Sequence, residues 1–306
     1  MNGQVRVKIQ TVLFENDRAA IGRFFEAVVE SARHVDATVT LHVGDCSAQP
    51  SIDAESLQRQ CQEVARGTPL ATRYDFFGQN LGFGAAHNRL WRQDSSAERL
   101  LVINPDAIPA FHLLSRLNAA ATTRAAAGAV EARQVPIEHP KRFDPETWET
   151  EWVSGACVLF DGAAFTAAGG FDETFFLYAE DVDLSWRLRA AGLRLYCCPE
   201  TFVMHAKRLV DGFPATTAAE RHHGPLGLML LRAKYGREDL NDRMVTLLRR
   251  DPTPENSRML SEYRRLCQRI APVPADLAAL ARFGPAGSLA DLRWTYPLPS
   301  RLAPVS

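Results

Sequence analysis

Three acidic side chains stand close together in the middle of the chain, at Glu180, Asp181 and Asp183. An aromatic run that ends at Tyr178 precedes them, and apolar residues beginning with Leu184 follow at helical spacing. The spacing predicts that the carboxylates occupy the first turn of a helix, where the partial positive charge of the helix favours anions. Because the aromatic run indicates a buried side, a carboxylate here is expected at the edge of an apolar pocket, where catalytic carboxylates are found. The alternative is an acidic cap on a solvated helix face.

Three further polar features each follow a segment with the pattern of a strand. Asp45 lies in the turn Gly44-Asp45-Cys46-Ser47, a glycine loop occupies residues 78–84, and Asp106 ends the motif Asn104-Pro105-Asp106. Each feature alone has an ordinary explanation as a turn. Their common position after strands favours a shared ligand site instead.

The elements that would position these features alternate between strand and helix. Strands are predicted at residues 5–14, 39–43, 71–77 and 99–103. Helices are predicted between them, the first capped by Asn16 or Asp17 and the others at residues 52–66 and 85–93. This alternation is typical of an α/β domain with a mostly parallel sheet flanked by helices. In such sheets ligands bind beyond the carboxyl ends of the strands, where the three features lie.

The second half of the chain continues the pattern less regularly. Helices are predicted from Pro109 to Thr123 and over residues 161–168, and the acidic helix follows them. Strands are predicted at residues 129–133, 151–160, 193–197 and 201–204. The polar segment 134–150 is interpreted as a long loop, and long loops of compact domains often serve as lids.

The character of the sequence changes near Arg221. Helices are predicted at residues 225–235, 239–250, 254–270 and 274–283, before a proline-rich tail that is expected to wrap the surface. We therefore divide the chain into a main domain, 1–220, and a helical C-terminal extension, 221–306. The apolar stripe 226–231 is expected to pack onto the main domain, and acceptor docking, peripheral membrane contact and self-association as a homodimer are the alternatives.

Composition excludes several classes of protein. The 306 residues are 46% hydrophobic, which suits one large domain with a helical appendage. A net charge of -1 gives no reason to expect nucleic-acid binding. The 6 cysteines show no CxxC spacing and are interpreted as reduced thiols. The chain shows no signal-peptide pattern and no apolar run long enough for a membrane span, so a cytoplasmic location is expected, with peripheral contact at the inner face of the membrane left open.

The ordered set of motifs resembles the family 2 glycosyltransferases of the GT-A fold, and looks most similar to their bacterial rhamnosyltransferase-like branch. The resemblance extends from about Val5 to His205. The motifs that carry it are the Asp45 turn, Gln79-Asn80-Leu81-Gly82-Phe83-Gly84 with Asn88, Asn104-Pro105-Asp106, Trp152-Val153-Ser154-Gly155-Ala156, Gly170-Phe171-Asp172-Glu173 and residues 176–187. Their order and spacing together make the resemblance specific.

The resemblance implies transfer of a sugar from a nucleotide-diphosphate donor to an acceptor hydroxyl, with inversion at the anomeric carbon. Family analogy favours dTDP-L-rhamnose as donor, with UDP-linked sugars next, and a cell-surface glycan on a lipid carrier as acceptor. Asp181 matches the general base. Asp45 would bind the donor base. The donor side further includes Asn80, Gly82, Phe83, Asn88, Asn104 and Asp106. The acceptor side includes Trp152, Gly155, Tyr178, Glu180 and Asp183.

A divalent metal is part of the same resemblance. Asp106 matches the last acidic residue of the family's Asp-x-Asp motif, while Asn104 replaces the first, so fewer protein ligands are expected. Mg²⁺ or Mn²⁺ keeps several waters and accepts phosphate oxygens, so one aspartate can suffice. His205 matches a histidine near the metal in many members and would suit Mn²⁺ better; a satisfied core histidine is the equal alternative. Lys207 and Arg208 could contact phosphate or form a solvated basic pair.

Two other functions stay open at this point. A nucleotidyltransferase with a related fold would show a glycine-rich, basic loop near the first strand, and residues 12–17 are neither. A GT-A-like binding module without activity is the second alternative, which Asp106 and Asp181 argue against. Packing explains Trp152 and Tyr178 better than sugar contact does. His222 and His223 lie outside the resemblance and receive no role.

Overall fold

A computed structural model describes residues 4–65, 70–138, 141–205, 209–210, 213–214, 217–284 and 289. The strands are β1 (Arg6–Leu13), β2 (Thr38–Asp45), β3 (Leu70–Phe76), β4 (Arg99–Ile103), β5 (Ala107–Pro109), β6 (Ala127–Val135), β7 (Glu149–Thr150), β8 (Cys157–Asp161), β9 (Arg194–His205), β10 (Leu209–Val210) and β11 (Phe213–Pro214). The helices are α1 (Arg18–Arg33), α2 (Ala54–Ala65), α3 (Phe83–Gln93), α4 (Leu113–Thr123), α5 (Gly162–Ala167), α6 (Glu180–Ala190), α7 (Ala218–Lys234), α8 (Asp242–Arg250), α9 (Pro254–Cys267) and α10 (Ala275–Ala278), with a 3₁₀ helix at Glu238–Asn241. Lys207, Arg208 and the tail after Gly284, apart from residue 289, lie outside the described residues.

The central sheet has the strand order β3-β2-β1-β4-β8-β6-β9-β5, and β7 also pairs with β9. The strands β3, β2, β1 and β4 run parallel, as the alternation of strand and helix predicts. β8 enters antiparallel to both β4 and β6, which makes the second half of the sheet mixed. The α/β fold class is therefore confirmed, with the parallel arrangement concentrated in the first half.

Helices cover both faces of the sheet. One face packs against α1, α2 and α4 around residues such as Phe24, Leu57 and Leu114. The opposite face packs against α3, α5 and α6 around Trp91 and Phe165. The apolar residues of each helix recur at a helical period, so burying them against the sheet stabilises both layers at once.

Two strand predictions need correction. The strand predicted at 151–160 begins only at Cys157, because Ser154 N and Gly155 N donate to the side chains of Glu131 and Asp181 rather than to a neighbouring strand. The two short strands predicted at 193–197 and 201–204 are one strand, β9, whose register against β6 shifts after Cys198. Pro199 lies in that shift, and proline has no N–H to donate to the ladder.

Two helix predictions in the extension are also corrected. α7 begins at Ala218 rather than at 225, because Thr217 and Glu220 form a reciprocal capping box, and Pro225 lies inside the helix. The predicted helix at 274–283 is limited to α10. α7 packs its apolar stripe onto the main domain, where Leu226 and Met229 share one cluster with Trp152 and Trp186. Our boundary at 220 thus falls inside a helix whose core continues across it.

Candidate active site

The segment before α6 has an unusual backbone. Tyr178 and Ala179 both adopt left-handed conformations, with φ of 69° and 75°. Non-glycine residues rarely do so, and neighbouring contacts have to hold them there. This turn directs the chain into α6 so that Glu180 and Asp181 stand in its first turn, as the sequence predicts.

Asp181 is held by backbone N–H groups. Gly155 N donates to its Oδ2 at 2.9 Å, and Val182 N donates to its Oδ1 at 2.8 Å. Burial raises the pKa of Asp181, while the two N–H groups and the positive charge of Lys141 oppose that rise. Protein surrounds the carboxylate on most sides, yet the residue stays partly accessible to solvent. A fixed, partly accessible carboxylate of this kind can accept a proton from a bound ligand.

Glu180 has different surroundings although it is the next residue. It is 4% exposed, and its Oε2 has no hydrogen-bond partner among the described residues. Burial and the neighbouring charge of Asp181 raise the pKa of Glu180 well above 4.5. Its side chain packs near Gly84 at the start of α3. The pair thus consists of one carboxyl that favours its proton strongly and one whose charge is partly stabilised.

A buried ion pair fixes the segment that donates a hydrogen bond to Asp181. Lys141 Nζ lies 2.5 Å from Glu131 Oε1, and both side chains are almost fully buried. The other oxygen of Glu131 accepts from Ser154 N at 2.7 Å, and Lys141 Nζ donates to Trp152 O at 2.9 Å. The ion pair therefore fixes residues 152–154, and the amide of the next residue, Gly155, donates to Asp181. We did not single out Lys141 or Glu131 from the sequence, and the 134–150 segment predicted as a lid carries one of them into the core.

Asp106 and His205 come together at the end of β9. His205 Nε2 lies 3.3 Å from Asp106 Oδ1, and its Nδ1 faces Gln134 Oε1 at 2.9 Å. Because Nδ1 faces the Gln134 oxygen, Nε2 is the ring nitrogen that faces the carboxylate. A nitrogen and a carboxylate oxygen at this distance can share a proton or a cation. Cis ligands of a cation bound at about 2.1 Å are themselves about 3 Å apart, so the pair fits Mg²⁺ or Mn²⁺.

The donor set of this candidate metal centre is small. Among the described residues no group of three or more His, Cys, Asp and Glu side chains could hold a metal ion. A cation here would therefore need ligands from waters or from a bound molecule, as expected for a motif with Asn104 in place of an aspartate. Asn104 itself contributes a backbone bond, with its N donating to Ala156 O at 2.9 Å.

Short backbone hydrogen bonds connect the segment that carries Asp106 to Asp181. Asn104, two residues before Asp106, bonds to Ala156, and the preceding Gly155 bonds to Asp181. Tyr178 is influenced by both groups of residues. Burial raises the pKa of its phenol, and the charges of Glu220, Glu180, Asp106 and Asp181 raise it further. The structure therefore brings the predicted base and the predicted metal residues to one edge of the sheet.

The glycine loop packs directly against the turn before α6. Asn80 Oδ1 accepts from Gly82 N at 3.0 Å, which closes a tight turn. Gly82 has φ of 79°, and a Cβ there would lie 2.3 Å from Phe176 O. Phe83 N donates to the same carbonyl at 2.9 Å, and its ring contacts the would-be Cβ position of Gly155. The glycine is required for close approach of this loop to the site.

Several predicted site residues are engaged within the protein. Asp45 is fully buried and accepts hydrogen bonds from Ser47, Ser51 and Tyr74, so its carboxylate shapes the loop after β2. Asn88 bonds both backbone groups of Phe171.

Two predicted acceptor-side residues also face inward. Asp183 is 0% exposed and pairs with Arg187 and Lys234, which joins α6 to α7. Trp152 is buried in the cluster shared with α7. In this conformation Asp183 and Trp152 do not face the edge where Asp106 and Asp181 meet.

Comparison with known proteins gives partial sequence matches and broad structural ones. No protein-family model matches the chain. An N-acetylglucosaminyl-diphospho-decaprenol L-rhamnosyltransferase of Mycobacterium tuberculosis is 39% identical over 83 residues, which is 27% of either chain. The rhamnosyltransferase WbbL of Escherichia coli is 38% identical over 55 residues, 18% of this chain and 21% of its own. The matches thus span about a quarter of these relatives.

Solved structures extend the likeness to most of the chain at the level of fold. A structure of GalNAc-T7 with UDP, GalNAc and Mn²⁺ covers 77% of this chain and 50% of its own, with a TM-score of 0.58 and 12% identity. The mannosyltransferase PcManGT of Pyrobaculum calidifontis, in complex with GDP-Man and Mn²⁺, covers 95% of this chain and 85% of its own, with a TM-score of 0.53 and 15% identity.

These structural neighbours show that the chain has the GT-A glycosyltransferase fold. Over 27% and 18% of its length, respectively, the chain is similar in sequence to these two bacterial rhamnosyltransferases.

Proposed function

We propose that the protein is an inverting glycosyltransferase that uses a nucleotide-diphosphate sugar, with L-rhamnose from dTDP-L-rhamnose as the preferred donor. The observation that carries this proposal is the placement of Asp181 on Gly155 N, at the same sheet edge as Asp106 and His205. The names of the two bacterial relatives support rhamnose as the sugar. A UDP-linked sugar is the second choice.

In this proposal Asp181 is the general base. Its carboxylate takes the proton of the acceptor hydroxyl while the hydroxyl oxygen forms a bond to the anomeric carbon. The bond from that carbon to the diphosphate oxygen breaks, and its electron pair leaves with the nucleotide diphosphate. Attack opposite the leaving group inverts the anomeric centre. General-base catalysis of this kind contributes about 10²–10⁴-fold in rate.

Asp106 and His205 are the residues that would hold a divalent metal. A bound Mg²⁺ or Mn²⁺ would neutralise charge that develops on the leaving diphosphate. The two structural neighbours were solved with Mn²⁺, which supports this ion as the first to test. The part played by the chain is to fix the imidazole, because the Gln134 oxygen holds the tautomer whose Nε2 points at Asp106.

The acceptor is proposed to be a hydroxyl of a cell-surface glycan on a lipid carrier. The name of the mycobacterial relative describes rhamnose transfer to N-acetylglucosaminyl-diphospho-decaprenol, and this supports a lipid-linked acceptor. Such a reaction places the enzyme in the cytoplasm, with peripheral contact at the inner membrane face and a homodimer as arrangements still to be tested. No helix in the described part of the chain is long and apolar enough to cross a membrane.

A donor panel tests the proposed function most directly. Purified protein, Mn²⁺ and each nucleotide sugar are incubated with a lipid-linked glycan acceptor, and released nucleotide diphosphate is measured. We expect release with dTDP-L-rhamnose that depends on the acceptor. The matched control is Asp181→Asn. Acceptor-dependent release from no donor in the panel, or equal release by the control, would contradict the proposal.

A further inference from the structure

The turn formed by residues 176–179 is enclosed between two other parts of the molecule. On one side lies the glycine loop, where Gly82 fits against Phe176 O and Phe83 N donates to it at 2.9 Å. The turn leads directly to Asp181, and two of its residues have left-handed backbones. A conformation of this kind persists only where surrounding contacts determine it.

Helix α7 supplies the contacts on the other side. A Cβ added at Gly227 would lie 2.4 Å from Tyr178 O and 3.5 Å from Ala179 Cβ, so the helix touches the turn without a side chain between them. One turn earlier in α7, the His223 ring lies 4.9 Å from the Phe176 ring. α7 thus contacts the turn at both of its ends.

The far end of α7 is attached to α6 itself. Lys234 Nζ lies 2.6 Å from Asp183 and 2.6 Å from Asp172, and Tyr235 donates to Asp183 Oδ1 at 3.1 Å. Asp183 is two residues after Asp181 and is fully buried. The same helix therefore fixes α6 at Asp183 and fixes the turn before α6 at Gly227.

We propose that α7 sets the position of Asp181, and that Gly227 is a positioning residue for the transfer reaction. The inference rests on the proposed function, because it gives the C-terminal extension a part in that same site. It assigns the extension a role beyond simple packing, since the close contact is made to the backbone of the turn that carries the base.

Gly227→Ala is the direct test. Ordinary contact begins at 3.4 Å, whereas the new methyl would lie 2.4 Å from the Tyr178 oxygen. The turn has to move by about 1 Å, and a misplacement of that size can reduce catalysis by about 10²-fold. We expect kcat to fall by that factor and the affinity for the nucleotide diphosphate to fall by clearly less, because Asp106 and His205 are not on the turn and, among the described residues, only the glycine loop of the donor side contacts it. A merely structural defect that reduces the active fraction would lower kcat and the binding stoichiometry by the same factor, whereas displacement of the turn lowers kcat and leaves the stoichiometry unchanged.

Gly224→Ala is the matched control in the same helix. No atom lies within 4 Å of the added methyl, so it meets open space. Residue 224 precedes Pro225, and a residue before proline in a helix carries its own backbone cost. The control therefore sets an upper limit on the loss of kcat that an added methyl in this helix causes by itself. We expect kcat of Gly224→Ala to stay near wild type.

Hydrogen exchange gives a readout that needs no turnover. Displacement of the turn should weaken the bond from Phe83 N to Phe176 O, so the Phe83 amide should exchange about tenfold faster in Gly227→Ala, with β1 and β4 unchanged. If Gly227→Ala does not fold, His223→Ala replaces it. That variant removes a ring contact without adding volume, and about fivefold faster exchange at Phe83 is expected.

The outcomes separate the two proposals. Unchanged exchange at Phe83 in the tested variant, or equal kcat in Gly227→Ala and Gly224→Ala, would overturn the role of α7. A wild-type chain that transfers no sugar would overturn the proposed function, and the exchange measurement would still decide whether α7 positions the turn.

Discussion

At the scale of single residues, the site depends on giving adjacent carboxyls different surroundings. Asp181 receives two backbone N–H groups, whereas Glu180 Oε2 receives no hydrogen bond within the described part of the chain. Burial raises both pKa values, but only Asp181 has donors that favour its charged form. This difference supports our proposal that Asp181, rather than Glu180, is the base.

Substitution of the two carboxyls tests that assignment. Asp181→Asn keeps the size of the side chain and an oxygen for Gly155 N, but removes the basicity. We expect nucleotide binding close to wild type and transfer reduced by about 10²-fold or more. Glu180→Gln should reduce transfer less, because the buried side chain packs towards α3 rather than the open edge. Near-normal transfer in Asp181→Asn together with loss in Glu180→Gln would place the base one residue earlier.

The raised pKa of Glu180 predicts a specific dependence of stability on pH. In the unfolded chain this carboxyl ionises near 4.5, whereas burial and then the charge of Asp181 keep it protonated to higher pH in the folded chain. Between the two pKa values the folded state binds more protons, so the free energy of unfolding falls as pH rises. Asp181 contributes with the same sign.

Glu180→Gln should remove most of that dependence. We expect the variant to gain stability over the wild type at about pH 8 and to gain little at about pH 4, where Glu180 is protonated in both states. Urea unfolding at the two pH values measures the difference. A gain that is equal at both, or larger in acid, would contradict a neutral, buried Glu180.

We attribute the proposed metal dependence to the Asp106 and His205 pair. We expect binding of the donor nucleotide to weaken when a chelator removes the divalent ion, and Asp106→Ala to weaken it similarly in the presence of Mn²⁺. Calorimetry measures both effects. Gln134→Leu is a useful companion variant, since it leaves both proposed ligands in place and removes the acceptor that fixes the imidazole. Equal affinity with and without chelator would exclude the metal role.

At the scale of elements, the sequence predicts the positions of the motif residues on strands and helices better than it predicts which of their side chains are free to bind a ligand. The parallel strands, the helix that opens at Glu180 and the strand-end positions of Asp45 and Asp106 all follow from local periodicity. The partners of Asp45 and Asp183 do not, because Tyr74 and Lys234 come from distant segments. A carboxylate in a motif can equally bind a ligand or hold a loop, and only tertiary contacts distinguish the two.

The segment from Lys141 to Trp152 shows the same limit. Its polar composition indicates a solvated loop, yet Lys141 is buried because Glu131 on β6 supplies a matching charge. One feature of the sequence indicated this pair: Glu131 stands between apolar residues in the strand predicted at 129–133. A charged residue in a buried strand needs a partner, and that requirement could have directed attention to a nearby lysine.

Lys141→Met tests the weight of this ion pair. Removal of one partner leaves a buried, unpaired Glu131, so we expect a loss of about 3–5 kcal/mol in the free energy of unfolding. The double variant Lys141→Met/Glu131→Gln should recover most of the loss, because an amide oxygen can still accept from Ser154 N. Arg6→Met, at an exposed pair with Glu98, is the control and should leave stability unchanged within error. If Lys141→Met is as stable as Arg6→Met, the ion pair does not stabilise the segment that holds Asp181.

At the scale of the whole molecule, the extension and the main domain share one apolar cluster. Leu226, Met229 and Leu230 of α7 are almost fully buried against Trp152 and Trp186. Of the four roles that the sequence leaves open for the apolar stripe, packing onto the main domain is the one these contacts support. Membrane contact or self-association would have to use another surface.

The shared cluster predicts cooperative unfolding of the full chain. α6 has its buried face against α7, and Lys234 neutralises the fully buried Asp183, so neither part retains its contacts when the other unfolds. We expect tryptophan fluorescence, to which the buried Trp152 and Trp186 contribute, and far-ultraviolet circular dichroism to give coincident urea transitions. A chain truncated after residue 217 should aggregate or lose its transition, since it exposes the apolar side of α6. Two separated transitions, or a truncated chain that folds and unfolds cooperatively, would show instead that the extension is an independent domain, and would also remove the basis for positioning of Asp181 by α7.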